Sequence, residues 1–102
     1  MRQFDVLVNP DRGEHPWAPY MVVLQSHFLE LLETTIVAPL IDDSERPVTG
    51  VDIPVAYNGR NLVLAVGEMR GSALTGSRRA VGSLSEHEDT IRRALDRLFS
   101  GF

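Results

Sequence analysis

The side chains able to do chemistry in this chain are few and scattered. The histidines are His15, His27 and His87, and no two of them stand at metal-ligand spacing. His15 lies in a proline-rich loop and His87 in the first turn of a helix, positions where a side chain is ordinarily solvated. There is no G-x-S-x-G elbow, no P-loop and no H-E-x-x-H run. Cysteine is absent, which excludes disulfides and thiolate metal sites. Asp42, Asp43 and Glu45 offer oxygens to a divalent cation. They lack the alternation and closing glutamate of a calcium loop, so the segment reads as acidic and solvated. The run Gly71-Ser72-Ala73-Leu74-Thr75-Gly76-Ser77-Arg78-Arg79 offers more. Flexible glycines, hydroxyls and two adjacent guanidiniums can cradle a phosphate or a carboxylate. Equally, it is a surface loop whose arginines bond locally, and the residues leave both readings open. No catalytic, metal or cofactor constellation emerges.

The elements that must position these groups read as short strands followed by one helix. Phe4, Val6 and Val8 alternate with Asp5, Leu7 and Asn9, a strand with one apolar face. Residues 9–16 are turn-rich and form an exposed loop. Tyr20 to Leu24 is a buried strand, and Phe28 to Glu33 is a helical turn or a bend. Thr34 to Leu40 is β-branched and carries Pro39, which suggests a strand near a sheet edge. Ile41 to Gly50 is polar and reads as a loop or a small excursion. Val51 to Tyr57 and Leu62 to Val66 flank Asn58-Gly59, the strongest hairpin signal in the chain. Gly67 to Ser77 reads as loop, and Arg79 to Ser83 as one more short strand. A helix follows: Ser85 and Glu88 have capping-box spacing, and Ile91, Ala94, Leu95, Leu98 and Phe102 recur on one stripe. Glu88 with Arg92 and Asp89 with Arg93 are favourable i,i+4 pairs. Ser100, Gly101 and Phe102 are expected past the last turn, as a fraying end or as a probe that docks into a partner. The fold class is therefore mainly β with a C-terminal α-helix, a twisted antiparallel sheet or small barrel with one helix packed on it.

Composition bounds the rest. A chain of 102 residues supports one domain, 1–102. At this length the core is modest, and a dimer interface is expected to supply part of the stability. A hydrophobic fraction of 43% marks a globular chain. No segment approaches the roughly 20 apolar residues of a spanning helix. The opening M-R-Q-F-D lacks the apolar core of a secretory signal. These absences favour the cytoplasm and argue against a membrane partner. The net charge of −4 argues against direct nucleic-acid binding through a broad basic face.

Order and spacing along the chain resemble the CcdB family of toxins from bacterial toxin–antitoxin pairs. The resemblance rests on Met1 to Val8, on Val23-Leu24-Gln25-Ser26 followed by Pro39-Leu40, and on Leu84-Ser85, Glu88, Ile91, Ala94, Phe99 and Gly101. It covers most of the chain and is poor over Ile41 to Gly50 and Arg70 to Arg79.

The resemblance implies an SH3-like barrel shared with the MazF and Kid toxins, paired as a homodimer. It implies a protein that acts by binding, not by catalysis. Its target would be the A subunit of DNA gyrase, held in the state in which DNA is cut. A cognate CcdA-like antitoxin would wrap and neutralise it. The family presents a Trp-Gly-hydrophobe tail to gyrase, and the matching positions are Ser100, Gly101 and Phe102. Gly101 and Phe102 fit; Ser100 departs from the pattern. Asp96 stands where the family has an asparagine, and Phe28 and Leu29 match two isoleucines of the gyrase-facing surface. Two other functions stay open. One is a metal-independent endoribonuclease that would depend on Arg78 and Arg79, although the MazF-type opening is not seen. The other is a homologue that has lost gyrase poisoning, as Ser100 suggests.

Overall fold

The structure, a computed structural model, describes residues 2–26, 34–42, 50–73 and 79–101. Strands β1 (Asp5–Val8), β2 (Tyr20–Val23), β3 (Thr35–Ile41), β4 (Asp52–Tyr57), β5 (Arg60–Ala65), β6 (Arg70–Ser72) and β7 (Ala80–Ser83) precede a single helix, α1 (Glu88–Ser100). Among the described residues, all the strand pairings are antiparallel. The sheet runs β4-β5-β3-β2-β1-β7, with β6 beside β3. The architecture is a curled half-barrel closed by one C-terminal helix. Among the described residues, no helix is long and apolar enough to cross a membrane.

The hairpin forms as its sequence requires. Asn58 and Gly59 both have positive φ, 51° and 75°, the backbone of a type I′ turn. Pro39 does not mark an edge. β3 is paired on both sides, to β2 along one edge and to β6 and β5 along the other. The Leu24 N–H bonds to the Ile36 carbonyl, which sets Ala38 and Leu40 as the residues exchanging bonds with β2. Pro39 nitrogen therefore faces the opposite edge. There β6 ends its pairing at Val37 and β5 begins at Leu40, so no ladder bond is lost. The expected loop from Gly67 onward is also part strand, because Arg70–Ser72 pairs with Thr35, Ile36 and Val37.

Strand β1 is buried on both faces. Phe4 and Val6 join the main core with Val22, Leu40, Leu64, Leu84 and Ile91, whereas Leu7 belongs to a second cluster with Met21, Val23 and Val37. The anticipated alternation thus holds for the main core only, and Val8 is half-buried.

The two ends of the sheet path are stitched by one side chain. The register between β1 and β7 slips by one residue, pairing Val6 with Gly82 but Leu7 with Ala80. Val81 is the extra residue, and its carbonyl accepts the Tyr57 hydroxyl from β4 at 3.0 Å. The Tyr57 ring lies over Gly82, where a Cβ would overlap the phenol, and packs edge-on against Tyr20 at 5.1 Å. Burial, reinforced by Tyr20, raises the Tyr57 pKa above its usual 10.0. The folded state therefore favours the neutral phenol. That contribution is complete below about pH 10 and is lost as pH rises through the folded value. Alkaline unfolding followed by circular dichroism should show a loss of stability above pH 10 that Tyr57→Phe reduces; an identical pH profile in the variant would rule out this linkage.

Helix α1 starts later than the capping box predicts. Ser85–His87 is a 3-10 turn, the α-helix begins at Glu88, and neither start has a side-chain cap bond. Ser85 instead donates its N–H to the Ser83 hydroxyl at 3.1 Å. Of the two expected ion pairs, Arg92–Glu88 forms at 3.2 Å; Asp89 and Arg93 are not joined. Ile91 and Ala94 are buried and Leu95 is half-buried against the core. Leu98 is already exposed, so the helix runs off the body of the sheet toward its C-terminus.

Candidate partner-binding surface

The far end of α1 projects past the sheet into solvent. Its first half is pinned: Arg92 reaches Glu88, the Gln3 side chain at 3.4 Å and the face of Phe4, 5.8 Å from the ring centroid. On another side, Arg97 donates to the Gly50 carbonyl at 2.8 Å. The last turn then extends into solvent. Phe99 is 73% exposed, unusual for a phenylalanine on an ordered helix. Ser100 is the last helical residue, not part of a free tail as the sequence suggested. Gly101 ends the helix with φ 77°, and its N–H bonds to the Arg97 carbonyl at 3.0 Å. An L-side chain there would be strained, so this glycine has a structural cause independent of any partner.

Beside this end lies an apolar groove of about 400 Å³. Leu24, Ile36, Met69, Leu95 and Phe99 make its walls, and Gln25 and Ser26 its polar lip. The Val23-Leu24-Gln25-Ser26 motif accounts for the floor. Leu24 belongs to the core, and Gln25 accepts the Ile36 N–H through its side-chain oxygen at 3.3 Å. Gln3 ties down the Leu24 carbonyl at 3.0 Å. These bonds hold the end of β2 against the start of β3, so the groove is set by the sheet. Sequence reading had all its parts, the motif and the i,i+4 pair Leu95 and Phe99, but not their juxtaposition.

Of the residues singled out by sequence, Asp96, Ser100 and Gly101 are exposed along the last turns of α1. Asp96 and Ser100 are four apart and share a helix face next to Phe99. Phe28, Leu29 and Phe102 lie outside the described residues, as do His27, Asp43, Glu45 and Arg78. Asp42 is not simply solvated: it pairs with Arg60 across the sheet end. His15 packs edge-on against Trp17 at 4.8 Å. His87 is half-buried just before α1, with Nε2 3.8 Å from Glu86. Among the described residues no three His, Cys, Asp or Glu side chains gather as metal ligands. Trp17 was missed. It is 53% exposed at the end of the turn-rich loop, and its type within that loop was the available signal.

No curated protein matches the chain. The family model described as CcdB protein matches residues 3–101, nearly the full length. Together with the curled antiparallel sheet and the single C-terminal helix, this places the chain in the CcdB family, the toxins of toxin–antitoxin pairs.

Proposed function

We propose that this protein is a homodimeric, cytoplasmic toxin that binds the A subunit of DNA gyrase and traps the complex in which DNA is cut. It acts by binding rather than by catalysis and is neutralised by a cognate CcdA-like antitoxin. The observation that carries the reading is the solvent-facing end of α1, where Asp96, Ser100 and Gly101 are exposed, apart from the apolar groove that Phe99 lines. Gyrase contacts are assigned to Asp96, Ser100, Gly101 and Phe102, with Phe28 and Leu29 contributing from the segment after β2. The groove faces are assigned to the homodimer, because the same patch on a second copy is self-complementary in apolar character.

Ser100 favours one second reading, a homologue that still binds an antitoxin but no longer poisons gyrase. A serine hydroxyl lacks the stacking area that makes an aromatic the dominant anchor of an interface. DNA cleavage by purified gyrase, titrated with this protein, tests both. Under the gyrase reading, Ser100→Trp strengthens cleavage by roughly tenfold or more, since a buried aromatic anchor is worth about 2–4 kcal/mol. Folding stability stays nearly unchanged, because position 100 is exposed. Cleavage with neither variant, alongside retained antitoxin binding, establishes the second reading instead. A nuclease finds less support: among the described residues, the recess beside Arg79 is lined by Leu7, Val8, Pro10 and Arg12, with no histidine or carboxylate to move a proton.

A further inference from the structure

Helix α1 packs beside the start of β4, and between them lies a recess of about 200 Å³. The helix lines it with Thr90, Arg93 and Arg97, and the sheet side with Gly50 and Asp52. It shares no residue with the apolar groove. Pockets for drug-sized ligands run to roughly 300–1,000 Å³, so this one suits a single small group.

The donors come from one helix face, because Thr90, Arg93 and Arg97 are spaced three and four residues apart. Among the described residues Arg93 makes no hydrogen bond or ion pair. Arg97 is fixed. It donates to the Gly50 carbonyl at 2.8 Å and lies where a Cβ on residue 50 would stand, so a glycine at that position lets the guanidinium rest against the backbone. That bond engages one of the five N–H donors of the fork. The other wall carries an acid. Asp52 is 6% exposed, one of two buried polar residues among those described. A carboxylate has about four acceptor sites, enough to serve the fold and a ligand together.

Two guanidiniums and a hydroxyl thus attract an anion toward a carboxylate. A fully deprotonated oxyanion turns a bare oxygen to Asp52 and is repelled. An oxyanion that keeps an O–H donates it there in a charge-assisted bond. We propose that this recess binds inorganic phosphate in its hydrogenphosphate form. Arg93, Arg97 and Thr90 hold the phosphate oxygens, and the retained P–OH donates to Asp52. Sulfate has the same shape and no proton at neutral pH, so the site excludes it. A phosphate monoester, with its second pKa near 6, has also lost that proton. None of these residues is assigned above to gyrase or to the dimer.

The test follows nitrogen–proton spectra of the full chain at low, matched ionic strength and about pH 7.5, titrated with sodium phosphate, sodium sulfate or methyl phosphate. Phosphate should give saturable shifts centred on the amides of Gly50, Asp52, Thr90, Arg93 and Arg97. Sulfate and methyl phosphate should each bind at least about tenfold more weakly. Arg93→Gln should weaken phosphate by about tenfold with an unchanged melting temperature, since Arg93 is exposed. Asp52→Asn places an amide donor where the parent has an acceptor only, and should bring sulfate to the level of phosphate. Because Asp52 is buried, Arg93→Gln carries the test if that variant does not fold. Equal binding of phosphate and sulfate by the parent reflects net charge alone and overturns the proposal. Shifts that are absent or do not saturate, or phosphate binding undiminished in Arg93→Gln, overturn it as well. The titrations contain neither gyrase nor antitoxin, so their outcome is independent of the cleavage assay.

Discussion

Ile91→Ala should lower the unfolding free energy by about 2–5 kcal/mol. Ile91 is fully buried and sits in the main core with Phe4, Leu84 and the inner residues of β4 and β5. Truncation removes three heavy atoms from a place where strands and helix meet, and such sites relax only partly around the cavity. Leu95, the residue that helical spacing alone marks equally for the core, is half-buried beside the groove. Leu95→Ala should cost roughly 1–2 kcal/mol, in proportion to the smaller area it covers. Urea unfolding at a fixed protomer concentration compares the two, because a dimer's stability depends on concentration. A Leu95→Ala loss as large as that of Ile91→Ala would mean that Leu95 is covered as fully as Ile91 in the assembled protein, by a second copy or by a different packing of α1.

Phe99→Asp should convert the protein to monomer without unfolding it. Under the homodimer reading, Phe99 is buried by its partner, and two-fold symmetry counts every change twice. Losing an aromatic anchor from each copy costs about 2–4 kcal/mol per site, and the new carboxylates must be desolvated or left facing apolar walls. The dissociation constant should rise by roughly a thousandfold or more. Analytical ultracentrifugation at micromolar concentration reads this directly, and far-UV dichroism checks the fold. If Phe99→Asp sediments as a dimer, or if the parent protein is a monomer at that concentration, the groove is not the dimer interface.

Much of the fold was legible because the chain's local signals agree with its tertiary structure. Asn58-Gly59 dictates the β4–β5 hairpin through backbone sterics alone, and Ile91 and Ala94 find the core that their spacing predicts. The misreadings have a common origin in context. Pro39 lies in a central strand because two short neighbours hand over beside it, which no local pattern reveals. Ser85 was assigned as a cap by spacing, yet a 3-10 turn intervenes and shifts the helix start. Arg70–Ser72 carries a glycine that reads as loop, but pairing with β3 overrides propensity. The candidate surface was legible as a set of helix-end residues and not as a groove, because its other wall comes from β2, β3 and Met69.

The seam between Tyr57 and Gly82 bears on how sequences of this lineage can drift. The phenol occupies the space in which any side chain at position 82 would stand, and its hydroxyl is satisfied by the neighbouring Val81 carbonyl. A larger residue at 82 is compatible with the closed sheet only when position 57 shrinks. A smaller residue at 57 in turn leaves the Val81 carbonyl to find another donor. The two positions, on strands that are far apart in the chain, therefore behave as a single inherited character: substitutions at one are filtered by the state of the other, and the route between two acceptable pairs passes through an intermediate that either clashes or gapes.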